Sequence, residues 1–334
     1  MGGCPMKLRS LAFALPFAAL LATSAWGQEY TLDMANEYSD GTPPGMADIH
    51  FAELVKEKTG GRVKVVNQLG GSAGFKSADM IDAIGSGAVP MGNFPLEAGA
   101  GHSPMYLVTN LPLIGQTIDQ AEIMQGVARP YVEKALADDN LGLLYMVIWP
   151  AVGVWSKEPI KTAEDFRQLA IRVNHPIATE LFRNAGANPI QISWGDVIPQ
   201  LQVGAIGAVH ASISGISLGL PMDIVPYYND IGTHVGQAAA AINLDTLNEL
   251  PEDLRAAVLE AATETEAWNR EQIASLVADE EKHVASKGGT VVSEFSPELI
   301  NHLREIAKPI IDKWLQSAGD DGKAFLEAYR NATQ

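Results

Sequence analysis

The chain has 334 residues, of which 40 are Asp or Glu and 23 are Lys or Arg, so its formal net charge at pH 7 is −17. A surface this acidic disfavours binding to nucleic acids and to anionic membranes. Hydrophobic residues make up 47% of the chain, which is typical of an ordered globular protein. The chain is longer than the domains that usually form around a single hydrophobic core, so we expect two lobes.

The N-terminus has the three-part pattern of a secretory signal peptide. Lys7 and Arg9 form a short basic region, and an apolar run over 11–21 follows them. This run is shorter than the about 20 residues that a transmembrane helix needs. Small residues up to Gly27 predict cleavage before Gln28 and export to the periplasm, with no stable membrane insertion of the mature chain. An uncleaved N-terminal anchor is the alternative.

Sequence motifs that carry catalysis are missing. The only cysteine, Cys4, precedes the predicted cleavage site, so the mature chain has neither a disulfide nor thiolate chemistry. The seven histidines include no pair three or four residues apart, and a zinc site would need distant segments. The stretch at 101–105, GHSPM, lacks the closing glycine of a nucleophile elbow. We therefore expect no enzyme, no cofactor and no metal.

Strands and helices alternate in the first third of the chain, which predicts an α/β sheet with crossover connections. Pro43 and Pro44 lead into the first helix, and Gly60-Gly61 ends it. In chain order, the predicted elements are a strand at 30–35, a helix at 46–58, a strand at 63–69, a helix at 77–84 and a strand at 88–93.

The same alternation returns after residue 160. Thr162 with Asp165, and Ser193 with Asp196, predict two capping boxes. Pro199 is expected to bend or shorten the helix that contains it. The predicted elements are strands at 170–174, 189–192 and 208–213, and a helix from 176 to 186.

A long helix is predicted from Pro251 to Gly288, because this stretch contains few breakers. At 1.5 Å per residue, some 35 residues extend roughly 50 Å, which is longer than one lobe is wide. We expect this helix to span both lobes. Its apolar spacing does not follow the sustained heptad of a coiled coil.

Three stretches of the second half follow a shared pattern. Residues 160–173 are IKTAEDFRQLAIRV, residues 186–189 are GANP and precede Trp194, and residues 201–205 are LQVGA. In this order they resemble the IKTPEDLKGLKIRV, G-A-x-P…F-x-E-V-Y and A-L-Q-x-G patterns of the TRAP-type (tripartite ATP-independent periplasmic) solute-binding proteins. Because further matching stretches occur upstream, the resemblance covers most of the mature chain; they are NQLG at 67–70 and LPL at 111–113.

The resemblance implies an α/β, type II periplasmic-binding-protein-like fold. Its two lobes are joined by crossing strands and by the long spanning helix. The expected divisions of the chain are a signal peptide at 1–27, lobe 1 at 28–149 plus about 236–275, and lobe 2 at 150–235 plus about 276–334.

The resemblance also implies that Arg172 pairs with a carboxylate of the solute. A guanidinium offers a planar fork that matches a carboxylate, and it keeps its charge. The helix that begins at Pro176 adds an N-terminus that favours an anion. A surface or interlobe salt bridge is the alternative role of Arg172. Trp194 occupies the family's aromatic position and Trp149 lies near the expected lobe crossing; each either lines the pocket or packs in a core.

This sequence departs from the family pattern at two polar positions. Where many members have an asparagine, this chain has Ala211, with His210 and Ser212 beside it as polar candidates. A second arginine of many members is replaced near Val152. With fewer groups available for a large sugar acid, we expect a small or atypical solute.

Two acidic residues follow strands that commonly line the cleft. Glu37 follows the first strand beside Asn36, and Glu97 follows Phe94, so all four are candidate solute contacts. A carboxylate next to an aromatic ring would suit an ammonium group. Solvated surface positions are the alternative for both acids.

The leading hypothesis is an extracytoplasmic solute-binding protein that captures a small carboxylate or amino acid-like acid and hands it to TRAP membrane subunits. The competing hypothesis keeps the binding role but assigns a small amine or amino alcohol as the solute. A periplasmic hydrolase or lyase on a similar scaffold stays open, because a catalytic triad can be built in any chain order. A ligand-presenting subunit of a sensor would share the fold.

Overall fold

The computed structural model describes residues 1–3 and 29–333, so the expected signal peptide lies outside the described residues except for its first three. Ten strands occur in the described ranges: β1 (Tyr30–Asn36), β2 (Val63–Gln68), β3 (Met91–Pro95), β4 (Leu141–Ser156), β5 (Ala170–Val173), β6 (Asn188–Gln191), β7 (Ala208–Ser212), β8 (Tyr227–Asn229), β9 (Val235–Asn243) and β10 (Thr290–Val292).

The same ranges contain eight α-helices, of which the last two are by far the longest. They are α1 (Pro43–Lys58), α2 (Met80–Gly85), α3 (Ile118–Asp138), α4 (Pro176–Asn184), α5 (Val197–Gln202), α6 (Leu244–Glu249), α7 (Glu252–Ser286) and α8 (Pro297–Ala332). Shorter 3-10 turns precede several of them, including Leu96–Gly101 and Trp194–Asp196.

The strands form a mixed sheet in the order β2-β1-β3-β9-β4-β7-β5-β6, and β8 pairs with both β4 and β10. β1 is parallel to β2 and β3, and β5 is parallel to β6 and β7. β9 and β4 are antiparallel to their neighbours between these two parallel groups. The expected two-lobed α/β fold is confirmed.

β4 is the strand that joins the lobes. It pairs with β9 as far as Ala151 and with β7 from Val152 onward, and register shifts interrupt its pairing with β9 between Ile148 and Ala151. Trp149 and Trp155 flank this change of partner. The lobes therefore share a continuous strand, and a change in the angle between them must be absorbed near residues 149–152.

The long helix spans both lobes, as predicted. α7 packs against α1 and the first half of β4 in the first lobe, and it reaches β10 in the second. Beside the first half of β4, the Glu266 carboxylate accepts a hydrogen bond from Met146 N at 2.7 Å, and Asn269 Oδ1 accepts one from Ile148 N at 2.9 Å. α7 therefore satisfies backbone donors that point away from β9.

The last helix also contacts both lobes. Leu299 and Leu303 of α8 pack in a core with Phe166 and Phe182 of the second lobe. Trp314 of the same helix already packs in the first-lobe core, and after a break in helical geometry at Gly319, with φ 61° and ψ −137°, Phe325 and Tyr329 pack in that core too. The end of the segment expected in lobe 2 thus packs against lobe 1.

Several boundaries differ from prediction for local reasons. β3 begins at Met91 rather than at 88, because Pro90 has no N–H to donate to a ladder. The capping box at Thr162 and Asp165 is present, whereas Ser193 forms no side-chain cap. The helix that contains Pro199 is only six residues long. None of the helices in the described ranges combines the length and apolarity needed to cross a membrane.

Candidate functional site

A cavity lies between the lobes, where the carboxyl ends of both parallel groups of strands meet; its empty space, including the part open to solvent, is about 530 Å³. This arrangement brings segments that follow β1 and β3 opposite residues near the ends of β5 and β7. The first lobe contributes Tyr38, Glu97 and Trp149, and the second contributes Arg172, Trp194 and Ser212.

Arg172 is a buried cation without a carboxylate partner. Its residue is 4% exposed, Nε donates to Ile192 O at 3.0 Å, and Nη1 donates to His210 O at 3.2 Å. Nη2 makes no hydrogen bond, and no carboxylate of the described residues forms an ion pair with the group. Burial lowers the pKa of Arg172, against the nearby Tyr38, Glu97 and Glu37, which raise it. An anion in the cavity would compensate this charge.

Aromatic rings form the walls beside this cation. The Arg172 guanidinium carbon lies 5.4 Å from the ring centroid of Trp194, which is within cation–π range. Tyr38 and Trp149 meet edge to face with their centroids 5.2 Å apart. Both rings line the cavity. The walls can therefore cover the apolar faces of a small, compact solute.

Glu97 is the acidic residue of the cavity and is 7% exposed. Its Oε1 accepts a hydrogen bond from Asn174 Nδ2 of the second lobe at 2.5 Å, and its Oε2 is buried. Burial raises the pKa of Glu97 to about 7, against its own backbone N–H, the Asn110 amide, Arg172 and the Asn174 amide, which lower it. The carboxyl group therefore links the lobes.

Glu37 lies at the mouth of the cavity rather than inside it. Its Oε2 accepts hydrogen bonds from Ser77 N at 2.8 Å and Ser77 Oγ at 2.6 Å, and its Oε1 accepts one from Gly195 N of the opposite lobe at 3.3 Å. An ion pair between Lys76 and Asp196, at 3.1 Å, crosses the same gap. The lobes are therefore in contact across the mouth.

Three buried histidines lie behind and beside Arg172. The ring centroids of His175, His210 and His234 are 5.6 to 6.0 Å apart. Burial lowers the pKa of all three, so they are neutral. Within the described residues, no group of three or more His, Cys, Asp or Glu side chains is arranged to hold a metal ion.

Two predicted site residues lie away from the cavity. Phe94 is fully buried and packs in the first-lobe core. Asn36 belongs to a polar network around the buried carboxylate of Asp48, which accepts hydrogen bonds from Asn36 Nδ2 and Asn93 Nδ2 at 2.7 Å and from Tyr145 OH at 2.8 Å. The strands that carry them are covered on both faces, so these side chains point into cores rather than into the cleft.

The network around Asp48 fixes the segments that enter the cavity. Asn36 Oδ1 accepts a hydrogen bond from Tyr38 N at 2.8 Å, and Asn93 immediately precedes the stretch that leads to Glu97. Burial raises the pKa of Asp48 to about 7, and its three hydrogen bonds oppose this rise. Asp48 thus positions two walls of the site from behind.

The sequence did not indicate several cavity residues. Asn174 follows β5 directly, and its place at the carboxyl end of a strand could have suggested it. His234 and Gln237 lie at the start of β9, where no motif or alternation points to the cleft; only the antiparallel crossing beside β4 brings them there.

The comparisons with known proteins agree with this geometry. A solute-binding protein of Sulfitobacter sp. (strain NAS-14.1) is 25% identical over 97% of this chain and 98% of its own. The 2,3-diketo-L-gulonate-binding periplasmic protein YiaO of Escherichia coli (strain K12) is 25% identical over 90% of this chain and 94% of its own.

Among solved structures, a marine metagenome TRAP solute-binding protein specific for pyroglutamate matches with a TM-score of 0.86 and 25% identity. The match covers 91% of this chain and 99% of that protein. The model of the bacterial extracellular solute-binding proteins, family 7, matches residues 34–317. The chain therefore belongs to family 7 of the bacterial extracellular solute-binding proteins, the DctP family.

Proposed function

We propose that this protein is the periplasmic solute receptor of a TRAP transporter and that it captures a small organic carboxylate between its lobes. The observation that carries the proposal is the buried, unpaired guanidinium of Arg172 on the cavity wall. A carboxylate accepts paired hydrogen bonds from such a group and neutralises its charge. Family members named for their ligands bind organic acids, among them pyroglutamate and 2,3-diketo-L-gulonate.

The size and walls of the cavity favour a compact solute. The enclosed space between the lobes is small, and part of the cavity opens toward the mouth. Trp194 and Trp149 present flat apolar faces on either side of Arg172. A small acid with an apolar or cyclic body satisfies both the charge and the walls.

The acidic residues give little support to an amine as the solute. Both oxygens of Glu37 already accept hydrogen bonds from protein donors. Glu97 is buried near Arg172, so a cation beside it would also lie near the unpaired charge of Arg172. Like charges in a buried cavity repel each other. The site therefore favours an anion.

Capture follows from the contacts that cross the cleft. A solute held by Arg172 of one lobe and by Trp149 or Tyr38 of the other contacts both lobes only when they are closed. It therefore shifts the open–closed equilibrium toward the closed form. The pairs Glu97–Asn174 and Glu37–Gly195 add protein contacts to the same state. After export and cleavage of the signal peptide near Gly27, the mature receptor would bind its solute, and the membrane subunits would recognise the closed form.

A thermal-shift screen of the purified protein tests the proposal. The panel pairs small acids with amines of similar shape, for example pyroglutamate with 2-pyrrolidone-5-methylamine and lactate with 1-amino-2-propanol. Stabilisation by one or more acids and by none of the amines is expected, because a ligand that binds only the folded state raises its melting temperature. Stabilisation by amines alone would overturn the proposal, and chemical conversion of a bound acid would favour an enzyme.

Replacing Trp194 by alanine is expected to weaken binding of the stabilising acid about fivefold to twentyfold. The substitution removes the ring that packs on Arg172, a contact of about 1 to 2 kcal/mol when desolvated. Titration calorimetry measures the change. Trp268→Ala is the matched control, because Trp268 stacks on His50 between α1 and α7, outside the cavity. Equal losses in both variants would contradict a role of Trp194 in the site.

A further inference from the structure

Three consecutive residues of the second lobe each contact the first lobe at the mouth of the cavity. Trp194 packs against a first-lobe core. Gly195 N donates a hydrogen bond to Glu37 Oε1 at 3.3 Å. Asp196 forms an ion pair with Lys76 at 3.1 Å. The 3-10 turn Trp194–Asp196 is therefore a clasp, a short segment of one lobe whose every residue contacts the other lobe.

The clasp is also joined to Arg172, the proposed anchor of the solute. Arg172 Nε donates a hydrogen bond to Ile192 O at 3.0 Å, two residues before the clasp begins. The guanidinium carbon of Arg172 lies 5.4 Å from the ring centroid of Trp194, and this ring packs against a core of the second lobe as well as one of the first. The aromatic wall beside Arg172 therefore belongs to a segment that contacts both lobes.

Glu37 is held in place by its own lobe. Its Oε2 accepts hydrogen bonds from Ser77 N at 2.8 Å and from Ser77 Oγ at 2.6 Å. Oε1 is thereby directed at the clasp, and a methyl group at Gly195 would lie 3.8 Å from it. A carboxylate that is fixed in advance loses little further freedom when it accepts the hydrogen bond from Gly195. The ion pair of Lys76 with Asp196 contributes less, because both side chains are half exposed.

We propose, on the basis of the function proposed above, that Glu37 is a positioning residue: it accepts the Gly195 N–H when the lobes close, and it so holds the clasp and keeps Trp194 beside Arg172. Glu37 lines the mouth and not the cavity itself, so it acts without touching the solute. The contact stabilises the closed form whichever acid is bound. It therefore slows the release of different acids to the same extent.

Stopped-flow fluorescence with pyroglutamate and with lactate tests this role. Glu37→Ala is expected to raise the dissociation rate of both acids about fivefold to tenfold, because the closed form loses a hydrogen bond to a charged acceptor. The association rate should change by less than about twofold, since the clasp forms after the encounter. An unchanged dissociation rate would overturn the inference. A rise that differs between the two acids would indicate direct contact with the solute and would overturn it too.

Asp165→Ala is the matched control. Asp165 Oδ2 accepts hydrogen bonds from Thr162 N at 2.8 Å and from Thr162 Oγ1 at 3.0 Å, which are the same kinds of donor that Ser77 offers to Glu37. These contacts lie within the second lobe, so their loss removes no contact between the lobes. The control is expected to release both acids at the wild-type rate. An equal rise in Asp165→Ala and Glu37→Ala would assign the effect to local structure and would contradict the clasp.

Distances between two spin labels test the clasp without any solute. Ser72 and Val203 are exposed and lie in different lobes, and the mature chain is predicted to have no cysteine of its own, so a cysteine at each position carries one label per lobe.

Glu37→Ala is expected to lower the ratio of short to long label distances about fivefold to tenfold. The reason is that the clasp stabilises the closed form equally with and without solute. An unchanged ratio would overturn the role of Glu37 and leave the receptor function intact. If no acid of the panel binds the wild-type protein, the proposed function fails, whereas the label distances still decide the role of Glu37.

Discussion

Replacing Arg172 by alanine is expected to lower the affinity for the captured acid at least 100-fold and to abolish its thermal stabilisation. The guanidinium is buried against Trp194 and the carbonyls of Ile192 and His210, and it has no carboxylate partner in the described part of the chain. Losing one partner of a buried, hydrogen-bonded charge pair costs 2 to 5 kcal/mol or more. Titration calorimetry with the acid found in the screen measures the loss.

Arg172→Lys separates charge from geometry. Lysine keeps the positive charge but not the planar fork, so an intermediate affinity is expected. Arg167→Ala is the matched control five residues earlier, because Arg167 is exposed and pairs with Glu164 on the surface. Its affinity should equal that of the wild type. An Arg172→Ala protein that binds the acid as tightly as the wild type would refute the proposed anchor.

Replacing Asp48 by alanine is expected to lower the free energy of unfolding by about 4 kcal/mol. The carboxylate is fully buried and satisfies donors from Asn36 at the end of β1, Asn93 within β3 and Tyr145 within β4. Each buried donor left without an acceptor costs about 1 to 3 kcal/mol. Urea denaturation measures the effect.

Asp33→Ala is the control, because Asp33 is on the exposed face of β1 and accepts a hydrogen bond from Gln68 Nε2 at 3.2 Å. A change within about 0.5 kcal/mol is expected there. Similar losses in Asp33→Ala and Asp48→Ala would show that the buried network contributes little.

The pH dependence of stability gives a second readout of Asp48. Its pKa of about 7 in the folded protein exceeds the ordinary value near 3.9 in the unfolded chain. The folded state therefore binds this proton more tightly, and the contribution to stability, complete below about pH 4, is lost as the pH rises through 7. Asp48→Asn cannot titrate. The difference in unfolding free energy between wild type and Asp48→Asn should narrow from pH 5 to pH 8.

Much of the fold could be predicted because local signals were strong. The proline and glycine residues around α1 and the few breakers within α7 marked their ends within a few residues. β4 was harder. Its sixteen residues are nearly all apolar and buried, without the alternation that distinguishes a strand from a buried helix. Only the partners on each side reveal that this strand belongs to both lobes.

The site was predictable where chemistry and position coincided. Arg172 and Glu97 stand at or just beyond the ends of parallel strands, where sheets of this kind place their ligand sites. Asn36 and Phe94 stand at similar places, but which face a side chain takes cannot be read from strands that are covered on both sides. Gln237 and His234 reach the cavity because β9 pairs antiparallel with β4, and no sequence motif indicates this pairing.

The course of α8 has a consequence for how long a captured solute stays. This helix packs in one lobe through Leu299 and in the other through Phe325 and Tyr329, so it ties the two lobes together. Any change in the angle between the lobes must therefore bend or shift α8 together with β4 and α7. Residence time is in this way set partly by residues that never meet the solute.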